Sequence, residues 1–412
     1  MKPKLSYKTA IGIIILLFFL VSCDRSRETT YKLNAETIGV HQSRALWVLA
    51  EGDQRLLENK ERLDGFLLDL EKLNITDVFV QVYRGGRAWF KSTRADSTPY
   101  QNTWASEWGD ALTTLIRHAH EKDIRVHAWL NTLSLSTNLD APLLDRLGDE
   151  AILVDHKGRS LKDYPSYDFP LPEADYYRID TPAIWLDPTL PTVKLELKKL
   201  INELLQNYPN LDGIHLDYIR YPASMPFTPG SRFGLGLSLG HGTLARMRFK
   251  DETGLEAPFG GLLVNSEAFD NWRRQKLTEL VGALSMEAKN TDPDIIVSAA
   301  VWAYANRAYL SCFQDWRGWL ETGSVDLAVP MLYTRDNALF SYVAREFIRG
   351  PFSDRIWIGL GAWLFSQNPT EFSKQLDLVK TQDASGYSLF SWDSIRAKPR
   401  LHTFLTENSD AR

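Results

Sequence analysis

The sequence predicts an α/β fold of the (β/α)8, or TIM, barrel type, with long loops after the second, third and fourth strands. Eight short runs rich in β-branched and aromatic residues alternate with amphipathic helical segments. The runs are almost continuously apolar, which is typical of parallel strands that are covered by helices. Eight repeats of this unit favour a closed barrel over an open, doubly wound sheet.

The predicted strands span residues 44–49, 77–84, 125–131, 213–220, 295–302, 326–333, 355–362 and 386–392. The segment after the first strand shows the helical pattern, because Leu63, Phe66, Leu67, Leu70 and Leu73 recur at the spacing of one helix face. Segments that enter the strands are short, whereas those that leave them are long at residues 85–108, 132–190 and 221–265. Because barrel active sites lie on the face built by the loops after the strands, a cleft is expected there.

The first 23 residues are predicted to be a bacterial lipoprotein signal peptide. Three lysines precede an apolar run at residues 11–21, which is too short for a comfortable membrane span. The run ends in "LVSC", so Cys23 is the expected lipidation site; the alternative is an uncleaved N-terminal anchor. Residues 24–40 are polar and indicate a flexible tether, and residues 41–408 are expected to form a single barrel domain. The expected location is the cell envelope, with a lipid anchor in the inner or outer membrane and the domain facing the periplasm or the surface.

Composition and motifs narrow the possible functions. The net charge of −5 and the lack of a basic cluster argue against a nucleic-acid partner. Cys312 is the only cysteine besides Cys23, so a lipidated Cys23 leaves no thiol pair for a disulfide or a cysteine metal site. The sequence has no P-loop or HExxH motif, and no cofactor is expected.

The fourth predicted strand, "GIHLDYIR", carries the strongest candidate for chemistry. Side chains alternate along a strand, so His215 and Asp217 share one side, while Leu216 and Tyr218 share the other. A carboxylate inside a barrel is costly unless it is paired or open to a site. Asp217 is therefore predicted to be catalytic; the alternative is a structural aspartate bonded to Arg220 or to backbone amides.

Neighbouring strands supply candidate substrate-binding residues. His127, Trp129 and Asn131 share one side of the third strand, and Tyr83 is expected to point inward from the second. A lone histidine is often a satisfied core residue, and His127, His215 and Asp217 together are a conceivable metal site, although none is predicted. Aromatic residues at or after the strand ends are candidate sugar platforms or core caps: Trp302, Tyr333 and Trp392.

Glycoside hydrolysis usually needs two carboxyl groups, and the second one is unassigned. Asp187 and Asp315 have the positions of helix caps. Glu51, Asp336 and Asp393 follow strands and remain candidates. A single aspartate would suffice if an N-acetyl group of the substrate assisted the reaction.

Several motifs carry a family resemblance: "RALWV", "VFVQVYRGGRAWF", "HAWLN", "WLDP", "LDGIHLDYIRYP" and "GYSLFSW", in this order between residues 44 and 392. With them the sequence resembles the glycosyl-hydrolase-like family 10 (DUF187), a group of bacterial secreted and lipoprotein barrels. The resemblance implies a glycan-cleaving barrel, and some relatives are thought to act on peptidoglycan glycan strands. Many relatives have a second aspartate where this chain has Tyr218. The positions that match the presumed cleft residues of the family are His127, Trp129, Asn131, His215, Asp217 and Tyr221.

The expected function is therefore that of a glycosidase that acts on a bacterial cell-envelope or extracellular polysaccharide, such as peptidoglycan. The alternative is a glycan-binding lipoprotein that kept the cleft and lost the chemistry.

Overall fold

A computed structural model describes residues 42–227 and 237–409 of the chain. Eight parallel strands form a closed barrel, as predicted. Closure is visible at the first strand, where Leu46 pairs with Val78 of the second strand and with Leu389 of the last. The strands are β1 (Ser43–Val48), β2 (Asp77–Arg84), β3 (Arg125–Asn131), β4 (Gly213–Asp217), β5 (Ile296–Trp302), β6 (Leu327–Met331), β7 (Trp357–Gly361) and β8 (Gly386–Phe390).

Helices cover the outside of the barrel. The main ones are α1 (Leu63–Lys72), α2 (Ala111–His120), α3 (Pro191–Asn207), α4 (Ser266–Thr291), α5 (Trp316–Glu321), α6 (Asn337–Arg349), α7 (Pro369–Thr381) and α8 (Pro399–Glu407). Further helices lie in the connecting segments at Thr98–Gln101, Pro142–Leu147, Thr243–Thr253, Ala305–Ser311 and Trp392–Arg396.

Strand alternation divides the core into two parts. Leu46 and Val48 of β1 pack in the large layer between strands and helices, while Ala45 and Trp47 point into the barrel. The barrel interior is filled by a compact, mostly aromatic cluster: Ala45, Trp47, Phe79, Trp129, Leu327, Val329 and Trp357. The interior is thus a packed core, and only its upper end is available for chemistry.

Long segments follow β2, β3 and β4, also as predicted, and run through residues 85–110, 132–190 and 218–265. The last two are tied together by an antiparallel pair between Tyr177–Ile179 and Ser224–Pro226. Trp185 and Asp180 of the loop after β3 contact Tyr218 and Arg220, just beyond the end of β4.

The predicted signal peptide, Cys23 and the tether lie outside the described residues. In the described ranges, none of the helices has the length and apolar character needed to cross a membrane.

Candidate active site

Asp217 ends β4 at the mouth of the barrel, opposite Asn131, the last residue of β3. Its carboxylate accepts two hydrogen bonds. The indole N–H of Trp129 donates to Oδ2 at 3.1 Å, and the backbone N–H of Tyr218 donates to Oδ1 at 2.7 Å. The side chain is therefore held in one orientation while part of the residue remains exposed.

Burial among aromatic neighbours raises the pKa of Asp217 to about 6. Desolvation destabilises the charged form, and this effect outweighs the two hydrogen bonds and the Arg220 charge, which all lower the pKa. A carboxylic acid with such a pKa is partly protonated near neutral pH. It can therefore donate a proton and later accept one.

Tyr218 lies at the mouth and also packs against the layer between strands and helices, the layer that contains Leu216. Its backbone leaves the strand with a φ of 52°, in the left-handed region, so strand alternation ends at Asp217. The ring is half-buried and lies 5.6 Å from the Trp185 ring. The pKa of its hydroxyl is raised to about 12 by burial and by the Asp217 charge, so the group remains a donor.

Arg220 is held between three aromatic rings beside this tyrosine. Its guanidinium lies 5.1 Å from the ring centre of Trp185 and 5.5 Å from those of Tyr218 and Trp302. Asp180 fixes it through an ion pair of 2.8 Å. The half-buried Trp302 thus lies at the mouth, and its contact with a sugar stays a prediction.

Tyr333, Trp363 and Phe390 pack together at the ends of β6, β7 and β8. The Tyr333 ring lies 4.8 Å from Trp363 and 5.7 Å from Phe390. Its hydroxyl is buried without a hydrogen-bond partner in the described part of the chain. Burial and the nearby charge of Asp217 raise the pKa of Tyr333 well above its usual value. A protonated, unpartnered donor therefore faces the Asp217 side of the mouth.

Asn131 belongs to a chain of amide contacts next to Asp217. Its Oδ1 accepts from the Gln81 side chain at 3.1 Å, and Gln81 accepts from the backbone N–H of Ala50 at 3.3 Å. Asn131 is 4% exposed, so its position beside the acid is fixed by the barrel. Its contact with substrate stays a prediction.

His215 does not reach the mouth, which corrects its expected role in substrate binding. It is fully buried one layer below Asp217 and stacks on Phe79 at 4.0 Å. The Trp47 indole donates to Nε2 at 3.1 Å, so the other nitrogen, Nδ1, carries the proton and bonds Ser298 Oγ at 2.9 Å. Burial lowers the pKa of His215 well below its usual value, and the residue is a neutral core group.

His127 lies still lower in the barrel, and the expectation of a substrate contact is wrong for it too. It is fully buried, and its Nε2 lies 2.9 Å from Asp77 at the start of β2. Arg125 pairs with the same carboxylate at 2.7 Å. Both histidines therefore bond to partners other than Asp217. In residues 42–227 and 237–409, no group of three or more His, Cys, Asp or Glu side chains is arranged to hold a metal ion.

Three further aromatic candidates lie away from Asp217. Tyr83 is turned outward by an irregularity in the pairing of β2 with β3, where the register shifts between Gln81 and Tyr83, and it packs in the outer core. Trp392 is 1% exposed and donates to Asp69 at 2.9 Å behind the barrel wall. Tyr221 is 1% exposed and lines a separate cavity. The first two are corrected to core residues.

Most candidates for a second carboxylate have structural partners. Asp336 and Asp315 cap α6 and α5, and Asp187 accepts from Thr189. Asp393 is buried and accepts from two backbone amides, at Leu49 and Gln54. Glu51 pairs with Arg84 and Arg87, each at 2.7 Å. Within the described ranges, no second carboxylate is among the groups that shift the pKa of Asp217.

The sequence interpretation missed Trp363 and Phe390 as mouth residues. An aromatic residue directly after β7, in "GLGAW", was a usable signal for Trp363. The left-handed turn at Tyr218 had no such signal, because Leu216, Tyr218 and Ile219 are residue types that a continuing strand would also carry.

Comparisons with known proteins match this picture. A family model described as glycosyl hydrolase-like 10 matches residues 42–346. The glycosyl hydrolase DigH of Escherichia coli K12 is 24% identical over 368 residues, which cover 80% of this chain and 75% of that protein. The glycosyl hydrolase YngK of Bacillus subtilis is 22% identical over 377 residues, which cover 83% of this chain and 65% of YngK.

Solved structures show the same fold at low identity. The glycoside hydrolase domain of PgaB (BpsB) from Bordetella bronchiseptica has a TM-score of 0.60 at 14% identity, over 89% of this chain and 98% of that one. The catalytic domain of β-amylase from Paenibacillus polymyxa has a TM-score of 0.54 at 12% identity, with the same coverage. These similarities bear on the barrel alone. Because the family model spans most of the sequence, the chain belongs to the glycosyl hydrolase-like 10 family.

Proposed function

We propose that this protein is a glycosidase in which Asp217 is the catalytic acid. The observation that carries the proposal is a carboxyl group at the end of β4, held by two hydrogen bonds, whose burial raises its pKa to about 6. Family membership supports a glycan-acting, hydrolase-like protein. The site supplies the proton donor that cleavage of a glycosidic bond requires.

The proposed reaction uses one protein carboxyl group and the substrate itself. Asp217 gives its proton to the glycosidic oxygen as the bond to the anomeric carbon breaks. The carbonyl oxygen of a neighbouring N-acetyl group bonds that carbon and forms a cyclic intermediate. Water, deprotonated by the Asp217 carboxylate, then attacks the anomeric carbon and opens the ring. The structural partners of Asp393 and Glu51 in the described ranges favour this route.

The surroundings of Asp217 support a sugar substrate. Tyr218, Trp302, Tyr333 and Trp363 give the mouth aromatic faces, on which sugar rings can pack. The unpartnered Tyr333 hydroxyl is a suitable donor to a substrate carbonyl or hydroxyl group. An N-acetylated bacterial polysaccharide, such as the glycan strand of peptidoglycan, is the proposed substrate because it carries the assisting group.

The proposed location is the cell envelope, with a lipid on Cys23 and residues 24–40 as a tether. The apolar run that ends in "LVSC" supports this proposal. Replacing Cys23 by Ser should move the full-length protein out of the membrane fraction of a bacterial host that processes lipoproteins. Equal membrane retention of Cys23→Ser and wild type would favour an uncleaved anchor instead.

The test of the activity uses purified protein that begins at residue 24. Wild type, Asp217→Asn and the surface control Asp377→Asn are incubated with peptidoglycan glycan strands and with a panel of polysaccharides. Wild type and the control should release soluble fragments, and Asp217→Asn should be about 10²–10⁴-fold slower, the usual contribution of a positioned acid. If wild type and Asp217→Asn both bind glycans and neither releases product, the protein is a glycan-binding relative without catalysis.

A further inference from the structure

A cavity lies among the loops next to the candidate active site. It is a cavity of about 480 Å³, walled by the loops after β3, β4 and β5 and by the start of α4. None of its lining residues hydrogen-bonds Asp217. The size and the mainly apolar lining are those of a small-molecule pocket.

Three residues that line this cavity carry a buried polar atom without a hydrogen-bond partner in the described part of the chain. The Tyr221 side chain is 1% exposed, and its hydroxyl has no hydrogen-bond partner among the described residues. The same holds for Ser224 Oγ and for Nδ1 of His156, which also line the cavity. An unpaired buried polar group costs about 1–3 kcal/mol, so three of them in one cavity point to a ligand that pairs with them.

The buried groups around the cavity carry no uncompensated charge. Arg273 is 1% exposed and forms an ion pair with Asp270. Burial lowers the pKa of His156, and burial and Arg273 lower that of His241 to about 3, so both rings are neutral. Burial and the nearby Asp187 raise the pKa of Tyr221 well above its usual value, so the phenol keeps its proton. A charged ligand would therefore find no free counter-charge at the buried end.

Flat apolar surfaces complete the walls. Phe169 and Phe313 line the cavity, and the Tyr221 ring lies 5.1 Å from Phe313 in an edge-to-face arrangement. Neutral donors and acceptors between apolar faces suit a molecule whose edge is polar and whose faces are apolar. A pyranose ring has this character.

We propose that this cavity is a second carbohydrate-binding site, which takes an uncharged sugar residue that bears hydroxyl or amide groups. Tyr221, Ser224 and His156 would pair with its polar edge. Tyr221 follows Asp217 by four residues, so their Cα atoms are at most about 14 Å apart. The two sites are therefore neighbours in the fold. The proposal rests on the proposed function only in assuming that the protein handles glycans.

The test measures binding by titration calorimetry. Asp217→Asn is used as the background so that the probe is not consumed. The probes are the N-acetylglucosamine tetrasaccharide, cellotetraose and, as the anionic counterpart, tetragalacturonate. At least one neutral probe should bind, and the added Tyr221→Phe substitution should raise its Kd about 5–10-fold, the loss expected for one hydrogen bond. The control is Tyr342→Phe, because Tyr342 is 69% exposed on α6, and it should leave Kd unchanged.

Thermal unfolding separates this result from a folding defect. The Tyr221 hydroxyl has no partner in the described protein, so Tyr221→Phe should leave Tm unchanged or raise it. Unchanged neutral-probe affinity in Tyr221→Phe, a preference for tetragalacturonate, or no binding of either neutral probe would each overturn the proposal. The hydrolysis assay of Asp217→Asn tests the role of Asp217 as the acid. Its result does not depend on whether the cavity binds a sugar.

Discussion

The pKa of Asp217 is set by opposing effects of the groups that surround its carboxyl group. Burial raises the pKa of Asp217, while the Trp129 indole, the Tyr218 amide and Arg220 lower it. Burial prevails, and the pKa remains about 6. Trp129 is thus a positioning residue, which orients the acid and limits how far its pKa rises.

Replacing Trp129 by Phe removes the N–H that stabilises the charged carboxylate. The pKa of Asp217 should rise, so activity should persist to higher pH, and the alkaline limb of kcat/KM should move upward. The pH profile of glycan hydrolysis measures this shift. Trp108→Phe is the control, because Trp108 is 53% exposed and should leave the profile unchanged. A limb that stays in place or moves to lower pH would contradict the positioning role of Trp129.

At the scale of the element, β4 shows what a sequence pattern can and cannot predict. Strand alternation correctly predicts that His215 and Asp217 point inward, but it contains no information on depth along the barrel axis. Register supplies the depth: Gly213, His215 and Asp217 pair with His127, Trp129 and Asn131, from bottom to top. Only the top pair reaches the mouth.

Two local departures from regular strands change the directions of side chains near the mouth. The register shift between Gln81 and Tyr83 reverses the side to which Tyr83 points. The left-handed φ of Tyr218 ends the alternation of β4 one residue after Asp217. Both depend on contacts with neighbouring strands and loops, which a linear pattern does not contain.

Gly213 is required by the close approach of β4 to the His127 ring. A Cβ at this position would lie 2.1 Å from His127 Nδ1 and 2.7 Å from the Ile296 carbonyl oxygen. Gly213→Ala should therefore lower the free energy of unfolding by about 2 kcal/mol or more, as an overpacked core does. Denaturant unfolding measures this loss.

The matched control is Gly65→Ala in α1, where the nearest atom to an added Cβ is 3.5 Å away. Alanine should be neutral there or stabilise the helix by about 0.5–1 kcal/mol. Equal stabilities of Gly213→Ala and wild type would contradict the described packing of β4 on His127.

At the scale of the whole molecule, the barrel and its long loops could be predicted because they follow from local periodicity and segment length. The strand bounds of β2 and β3 agree with the predicted ones to the residue. The site could be predicted only in part. Whether Asp393 caps a loop or faces a cleft depends on its bonds to Leu49 and Gln54, more than 330 residues earlier.

A buried neutral histidine at the barrel centre should make stability depend on pH. The folded pKa of His215 lies well below that of the unfolded chain, so below pH ~6.5 the unfolded state takes up a proton that the folded state does not. This contribution is complete above pH ~6.5 and falls by about 1.4 kcal/mol per pH unit as pH decreases toward the folded pKa.

The comparison of wild type with His215→Phe isolates this contribution, because the carboxyl groups titrate alike in both proteins. The free energy of unfolding of wild type, relative to that of His215→Phe, should decrease as the pH is lowered from 7.5 to 5. Parallel stability curves over this range would show that His215 titrates normally in the folded protein.

The most direct test of the central claim is the pH dependence of kcat/KM for glycan hydrolysis between pH 4.5 and 8. For wild type, the rate should fall as pH rises, with a midpoint near 6, because Asp217 must carry the proton that it donates. Asp217→Asn should lack both this limb and most of the rate. A wild-type rate that is flat across pH 6, or a limb that persists in Asp217→Asn, would contradict the assignment of Asp217 as the acid.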